Sequence, residues 1–76
     1  MSEAQRIHDE RFAVGNPRSP EYKAGALYIL RLKAGEITST PSPYVVGTAQ
    51  FDAWLAGTWE GHDLWAAAQK AKAGDV

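Results

Sequence analysis

Apolar positions fall into three stretches, divided by two breaks rich in glycine, proline and hydroxyl residues. The first stretch, about residues 3–14, carries Ala4, Ile7, Phe12, Ala13 and Val14 among good helix formers of mixed charge. It stops at Gly15-Asn16-Pro17, a strong helix-ending signal. A helix over about 3–14 is expected, with 1–18 as a partly ordered arm as the other reading. The second stretch opens with Ser19-Pro20-Glu21: a cap, a proline at the first helical position and an acid in the first turn. It predicts a helix over about 20–34, ended by a left-handed glycine at Gly35. Tyr22, Ala24, Ala26, Leu27, Tyr28, Ile29, Leu30 and Leu32 occupy most of its circumference. A strand over Ala26–Leu32 is the rival reading, which the cap and the overall length disfavour.

The second break, Glu36 to Pro43, holds two prolines and several hydroxyl residues and reads as an extended linker. The apolar Tyr44-Val45-Val46 that follows is expected to pack back onto the helices. Thr48 then caps a long last helix, about 48–73. At about 100° per residue this helix has three sectors. Ala53, Gly57, Gly61, Leu64 and Ala68 form a stripe, mostly of small residues. Phe51, Trp54, Leu55, Thr58, Trp59, His62 and Trp65 lie beside it, leaving a narrow polar sector of Asp52, Glu60, Asp63 and Lys70. The whole reads as one all-α domain, residues 1–76, of helix–linker–helix form with an N-terminal helix or arm.

Two of these sectors carry the functional argument. A helix packed on one neighbour needs an apolar arc a little over 100° wide. Here the arc covers well over half the circumference, so one side is expected to pack internally and another to meet something else. Gly57 and Gly61 sit one turn apart, and each costs about 1 kcal/mol relative to alanine. They imply close approach by another helix, with Gly25 as the matching point, or else a groove for a partner or second copy. The helix-packing set is therefore Gly25, Gly57, Gly61, Trp54, Trp65 and Tyr44. Trp54 and Trp59 lie about 140° apart, so both cannot easily be core. Trp54 and Trp65 are assigned to the interior and Trp59 to a contact surface.

Composition narrows the classes. A chain of 76 residues supports one small core. It has no cysteine, which removes disulfides and thiolate metal sites. Small domains of this kind depend on efficient packing, self-association or a partner. Eight basic residues against nine acidic ones lack the basic excess of a dedicated nucleic-acid binder. No apolar run reaches the roughly 20 residues that span a bilayer, and the first residues do not read as a secretory signal. A cytoplasmic location without membrane association is expected.

Candidate chemistry is sparse. No glycine loop has the spacing or strand context of a phosphate cradle. There is no cysteine nucleophile and no serine elbow. His8-Asp9-Glu10 and His62-Asp63 are neighbours in sequence, and adjacent helical residues point apart. Glu60 and Asp63 share a face, which reads as solvated. His8 is expected to be solvated, and His62 to pack at the edge of the aromatic sector. No catalytic residue, metal or cofactor is expected.

Tyr22-Lys-Ala-Gly25, Ala34-Gly35, Ser42-Pro43-Tyr44 and Ala53-Trp54-Leu55-Ala56-Gly57-Thr58-Trp59-Glu60-Gly61 together resemble the ribosome modulation factor family. That family is a short two-helix protein with Tyr-x-x-Gly in its first helix, Cys-Pro-Tyr in the linker and Trp-Leu-x-Gly-Trp in its second helix. The resemblance spans about residues 22–62. Ser42 stands where the family usually has cysteine, and Thr58 is an extra residue before Trp59. The family's ribosome binders are strongly basic, and this chain is not. Relatives of this type also appear in phage and mobile-element genomes, where small proteins often act by blocking a host protein.

Two function classes follow. The first is a non-catalytic protein-binding modulator of the phage or mobile-element inhibitor type. It would dock on a host protein through Trp59, Leu55, Asp52, Glu60, His62 and Asp63. The alternative, implied by the resemblance, is a ribosome-associated hibernation factor binding ribosomal RNA through Arg18, Lys23, Arg31 and Lys33. A nucleotide-dependent modifying enzyme is a third and weaker class. A homodimer fits either of the first two, because the wide apolar arc needs covering.

Overall fold

The computed structural model describes residues 2–74 and contains three helices and no strand among them. They are α1 (Glu3–Arg11), α2 (Pro20–Lys33) and α3 (Ala49–Gly74). Each start is capped by a side-chain oxygen. Ser2 accepts from the Gln5 N–H at 3.0 Å, Ser19 from the Tyr22 N–H at 3.2 Å and Thr48 from the Phe51 N–H at 3.1 Å. These bonds satisfy amide groups that the first turn leaves without partners. Pro20 lies at the start of α2, as the cap signal implied. The strand alternative for Ala26–Leu32 is overturned, since the segment lies inside α2.

The end of α2 is built on Gly35, whose φ is +76°. The Glu36 N–H donates to the Arg31 carbonyl at 3.0 Å and the Gly35 N–H to the Leu32 carbonyl at 3.2 Å. This paired closure needs a left-handed residue, where a Cβ is penalised.

α2 and α3 run parallel, with their contacts advancing together. Gly25 lies against Trp54 and Thr58, Gly57 against Tyr22 and Ala26, and Gly61 against Ala26 and Ile29. The arrangement is a local two-fold. Gly25 faces the carbonyl of the residue three before Gly57, and Gly57 faces the carbonyl of the residue three before Gly25. A Cβ on Gly25 would stand 2.9 Å from the Trp54 carbonyl carbon, and one on Gly57 would stand 2.8 Å from that of Tyr22. Both would overlap the carbonyl oxygens outright. At Gly61 the symmetry breaks. A Cβ there would meet the Ala26 carbonyl oxygen at 2.7 Å and the Ile29 Cβ at 2.9 Å, so this glycine makes room for the backbone of α2 and for a branched side chain together. The glycines serve internal packing, and the reading of them as a groove for a partner is set aside.

Parallel neighbours require a connection that returns along the pair. Residues 34–48 provide it, bringing Ala49 back beside Ser19 and Glu21 at the start of α2. The return path is pinned at Tyr28, whose hydroxyl oxygen accepts from the Thr40 N–H at 3.1 Å. The Tyr28 ring rests on Trp54 at 5.4 Å between centroids, and Phe51 lies 6.2 Å from the same indole. Ser42 accepts from the Tyr44 N–H at 3.0 Å and closes a local turn. Tyr44 is half-buried, but Val45 and Val46 are 73% and 76% exposed. The expectation that all three pack back is thus corrected. The valines sit at a tight turn, where Gly47 adopts φ +93° and the Thr48 N–H bonds the Val45 carbonyl. The turn points them away from the helices.

α1 runs antiparallel to the pair and covers the groove beside it. Ala4 and Ile7 join Leu30, which is fully buried, and Ala34, Leu64, Trp65 and Ala68 pack around them. Polar contacts rim this core. Arg31 donates to the Gln5 side chain at 3.0 Å, Lys72 pairs with Glu3, and Arg11 pairs with Glu60. α1 ends at Arg11, about one turn short of Val14. Phe12 caps its end as a buried plug, edge-on to Tyr22 at 6.1 Å, while Val14 is fully exposed.

Alanine normally stabilises a helix interior by about 1 kcal/mol over glycine. At Gly57 the sign should reverse, because a backbone carbonyl cannot rotate away as a side chain can. Gly57→Ala is expected to cost about 2–3 kcal/mol and to lower the thermal midpoint by roughly 10 °C. Gly74→Ala, where nothing lies within 4 Å of the added methyl group, should leave it unchanged or raise it. Calorimetry of the two variants checks both signs.

Candidate docking surface

The face of α3 opposite its contact with α2 has no covering among the described residues. Trp59 stands at its centre with 66% of its surface exposed, and Leu55, one turn earlier, is 41% exposed. Asp52, Ala56, His62, Asp63, Ala66 and Lys70 are exposed around them. The His62 ring lies 6.3 Å from the Trp59 ring and extends the aromatic patch. The other two tryptophans point elsewhere. Trp54 is 8% exposed and Trp65 is half-buried against the α1 core. Helical geometry accounts for the division, since Trp59 lies about 140° from Trp54 and about 120° from Trp65.

Beside Trp59 a shallow groove of about 460 Å³ runs between α3 and the start of α2. Ala56, Trp59, Glu60, Asp63 and Ala67 of α3 line it, with Tyr22 of α2 on the other side. A second groove, of about 500 Å³, lies between α1 and the second half of α3, lined by Ile7, Leu64, Ala67, Ala68 and Ala71 and edged by Arg6, Glu10 and Lys72. The two grooves adjoin at Leu64 and Ala67, which line both.

Glu60 belongs to the fold more than to the rim that the sequence assigned it. It accepts from the Tyr22 hydroxyl and pairs with Arg11, so one carboxylate joins all three helices. Arg18 lies over the Tyr22 ring at 4.6 Å and completes this node. Sequence alone gives no sign of it, because Tyr22 and Arg11 lie 38 and 49 positions from Glu60. His8 is also corrected. Its side chain is only 16% exposed, held 5.1 Å from Phe12 and 3.1 Å from Asp9. It packs against Phe12 at the end of α1.

The four basic residues of the RNA-binding alternative do not make a stripe. Arg18 covers Tyr22, Lys23 donates to the Asn16 carbonyl at 3.3 Å, and Arg31 bonds Gln5. Lys33 is exposed but lies about 160° around α2 from Arg31. Among the described residues no three histidine, aspartate or glutamate side chains gather as a metal site, and no helix is long and apolar enough to cross a membrane.

Two tyrosines are shifted in opposite directions. Burial, followed by the bond to Glu60 and its charge, pushes the Tyr22 phenol above its ordinary 10.0. The Ser39 hydroxyl and the Thr40 backbone beside the Tyr28 oxygen pull that phenol below 10.0. No protein-family model, curated protein or solved structure matches the chain.

A group whose pKa is raised on folding stabilises the fold below its unfolded pKa and loses that contribution as pH rises through the folded value. The Tyr22–Glu60 link should therefore hold up to about pH 10 and fail above it. Spectrophotometric titration should find Tyr28 ionising before Tyr22, and Tyr22→Phe should remove the later of these two steps while flattening the alkaline fall in stability.

Proposed function

We propose that this chain is a small non-catalytic protein-binding modulator that docks the Trp59 face of α3 on another protein. The observation that carries the reading is the exposure of Trp59 and Leu55 on a helix whose other faces are committed to the fold. A large aromatic side chain left in water is the usual anchor of an interface, because burying it on binding recovers the apolar area that folding left exposed. Asp52 and Asp63 flank it as a polar rim, and the groove beside it offers space for a side chain of the partner. The resemblance in sequence to the ribosome modulation factor family, whose relatives also appear in phage and mobile-element genomes where small proteins often block a host protein, supports an inhibitor acting by steric blockade. The dispersal of Arg18, Lys23, Arg31 and Lys33 supports the ribosome-binding alternative less. A hibernation factor would need these charges directed together at phosphate.

The test is capture of bacterial proteins by the immobilised full chain, read by mass spectrometry against Trp59→Ala and Trp54→Tyr. Trp59→Ala should retain the helical circular dichroism and melting temperature of the parent and lose the captured protein. Trp54→Tyr should be destabilised but keep its partner when folded. Equal capture by parent and Trp59→Ala would remove this face from the function.

A further inference from the structure

The exposed face of α3 is complementary to itself. Positions 52, 56, 59, 63, 66 and 70 recur at alternating intervals of four and three, the spacing that keeps a seam directed at one neighbour. Charge is unevenly spread along it. Asp52 lies in the first turn of α3 and Asp63 near the middle, while Lys70 lies near the C-terminal end, and all three are exposed. Size is distributed in the same unequal way, with Leu55 and Trp59 in the first half and Ala66, Ala67 and Ala73 in the second.

We propose that a second copy of this chain covers the face, α3 packing antiparallel on α3 about a two-fold axis near position 61. The axis sets Asp52 against Lys70 of the second copy, Ala56 against its Ala66, Ala49 against its Ala73 and Leu55 against its Ala67. Trp59 meets Asp63 of the second copy, whose carboxylate can accept the indole N–H. Every large side chain meets a small one or a hydrogen-bond acceptor, and the Asp52–Lys70 ion pair forms twice by symmetry. A parallel pairing would instead oppose Asp52 to Asp52 and Trp59 to Trp59. The antiparallel pairing also aligns opposed helix dipoles.

The inference rests on the reading of this face as a docking surface and adds its regulation. The homodimer occludes Trp59, so a foreign partner must compete with a second copy, and dilution releases the face.

Sedimentation equilibrium of the pure full chain, from micromolar to millimolar, tests the pairing. The parent should dimerise, and Trp59→Ala should shift the equilibrium to monomer. Asp52→Lys and Lys70→Asp should each weaken the dimer by about tenfold, because the symmetry repeats each repulsion, and the double exchange should restore it. Circular dichroism checks that each variant is folded. A monomeric parent throughout the range would overturn the dimer, as would a dimer indifferent to Trp59→Ala or a double exchange without restoration. None of these results touches partner capture through Trp59, which can fail independently in the immobilised-chain experiment.

Discussion

The fold depends on the contact between the backbones of α2 and α3. Gly25 and Gly57 each present a bare α-carbon to a carbonyl of the other helix. The approach is closer than any side chain permits, and it brings C–H groups to carbonyl oxygens while the flanking residues interlock. Interior glycines cost helix stability. The contact offsets this by pairing the helices in a single register, since a slip of one residue would put a Cβ where the carbonyl now sits. The rest of the arrangement follows. Parallel helices need a long returning linker, the linker needs an anchor, and Tyr28 provides it through the Thr40 N–H while resting on Trp54. The side of the pair left open is closed by α1.

Local chemistry was the legible part of the sequence. Caps at Ser19 and Thr48, the proline at position 20 and the glycine at position 35 act within four residues of their targets, so the bounds of α2 and the start of α3 could be read directly. The small-residue stripe and the match to Gly25 could also be read, because helical periodicity places them on one face. Direction could not. Gly25 against Gly57 is compatible with parallel or antiparallel helices, and only the path of the linker decides. The clip at Glu60 was hidden for a related reason. Its partners are brought together by the packing of all three helices, and a glutamate beside a tryptophan reads as surface. Val45 and Val46 misled because apolar character predicts burial on average, while a tight turn decides where a side chain points.

The candidate surface was half legible. Angular separation alone puts Trp54 and Trp59 on different sides of α3, and the structure has the first buried and the second exposed. Helical periodicity does not say which of the two faces the neighbour. That follows from the glycines, which share an arc with Trp54 and bring α2 to that side. The basic residues show the opposite case. Four cations near one another in sequence look like a stripe, yet their side chains are taken up by Tyr22, Asn16 and Gln5 or lie on different sides of α2.

A helix joined to its neighbour through main-chain atoms has a further property. Main-chain atoms are common to every residue type, so the joint asks only that three positions carry no side chain. Most positions on the outer arc of α3 bear little of the fold's stability. Folding is in this way written in the inner letters of the helix, apart from the outer ones proposed for recognition. The outer letters can be rewritten, by selection or by design, while the scaffold beneath keeps its shape.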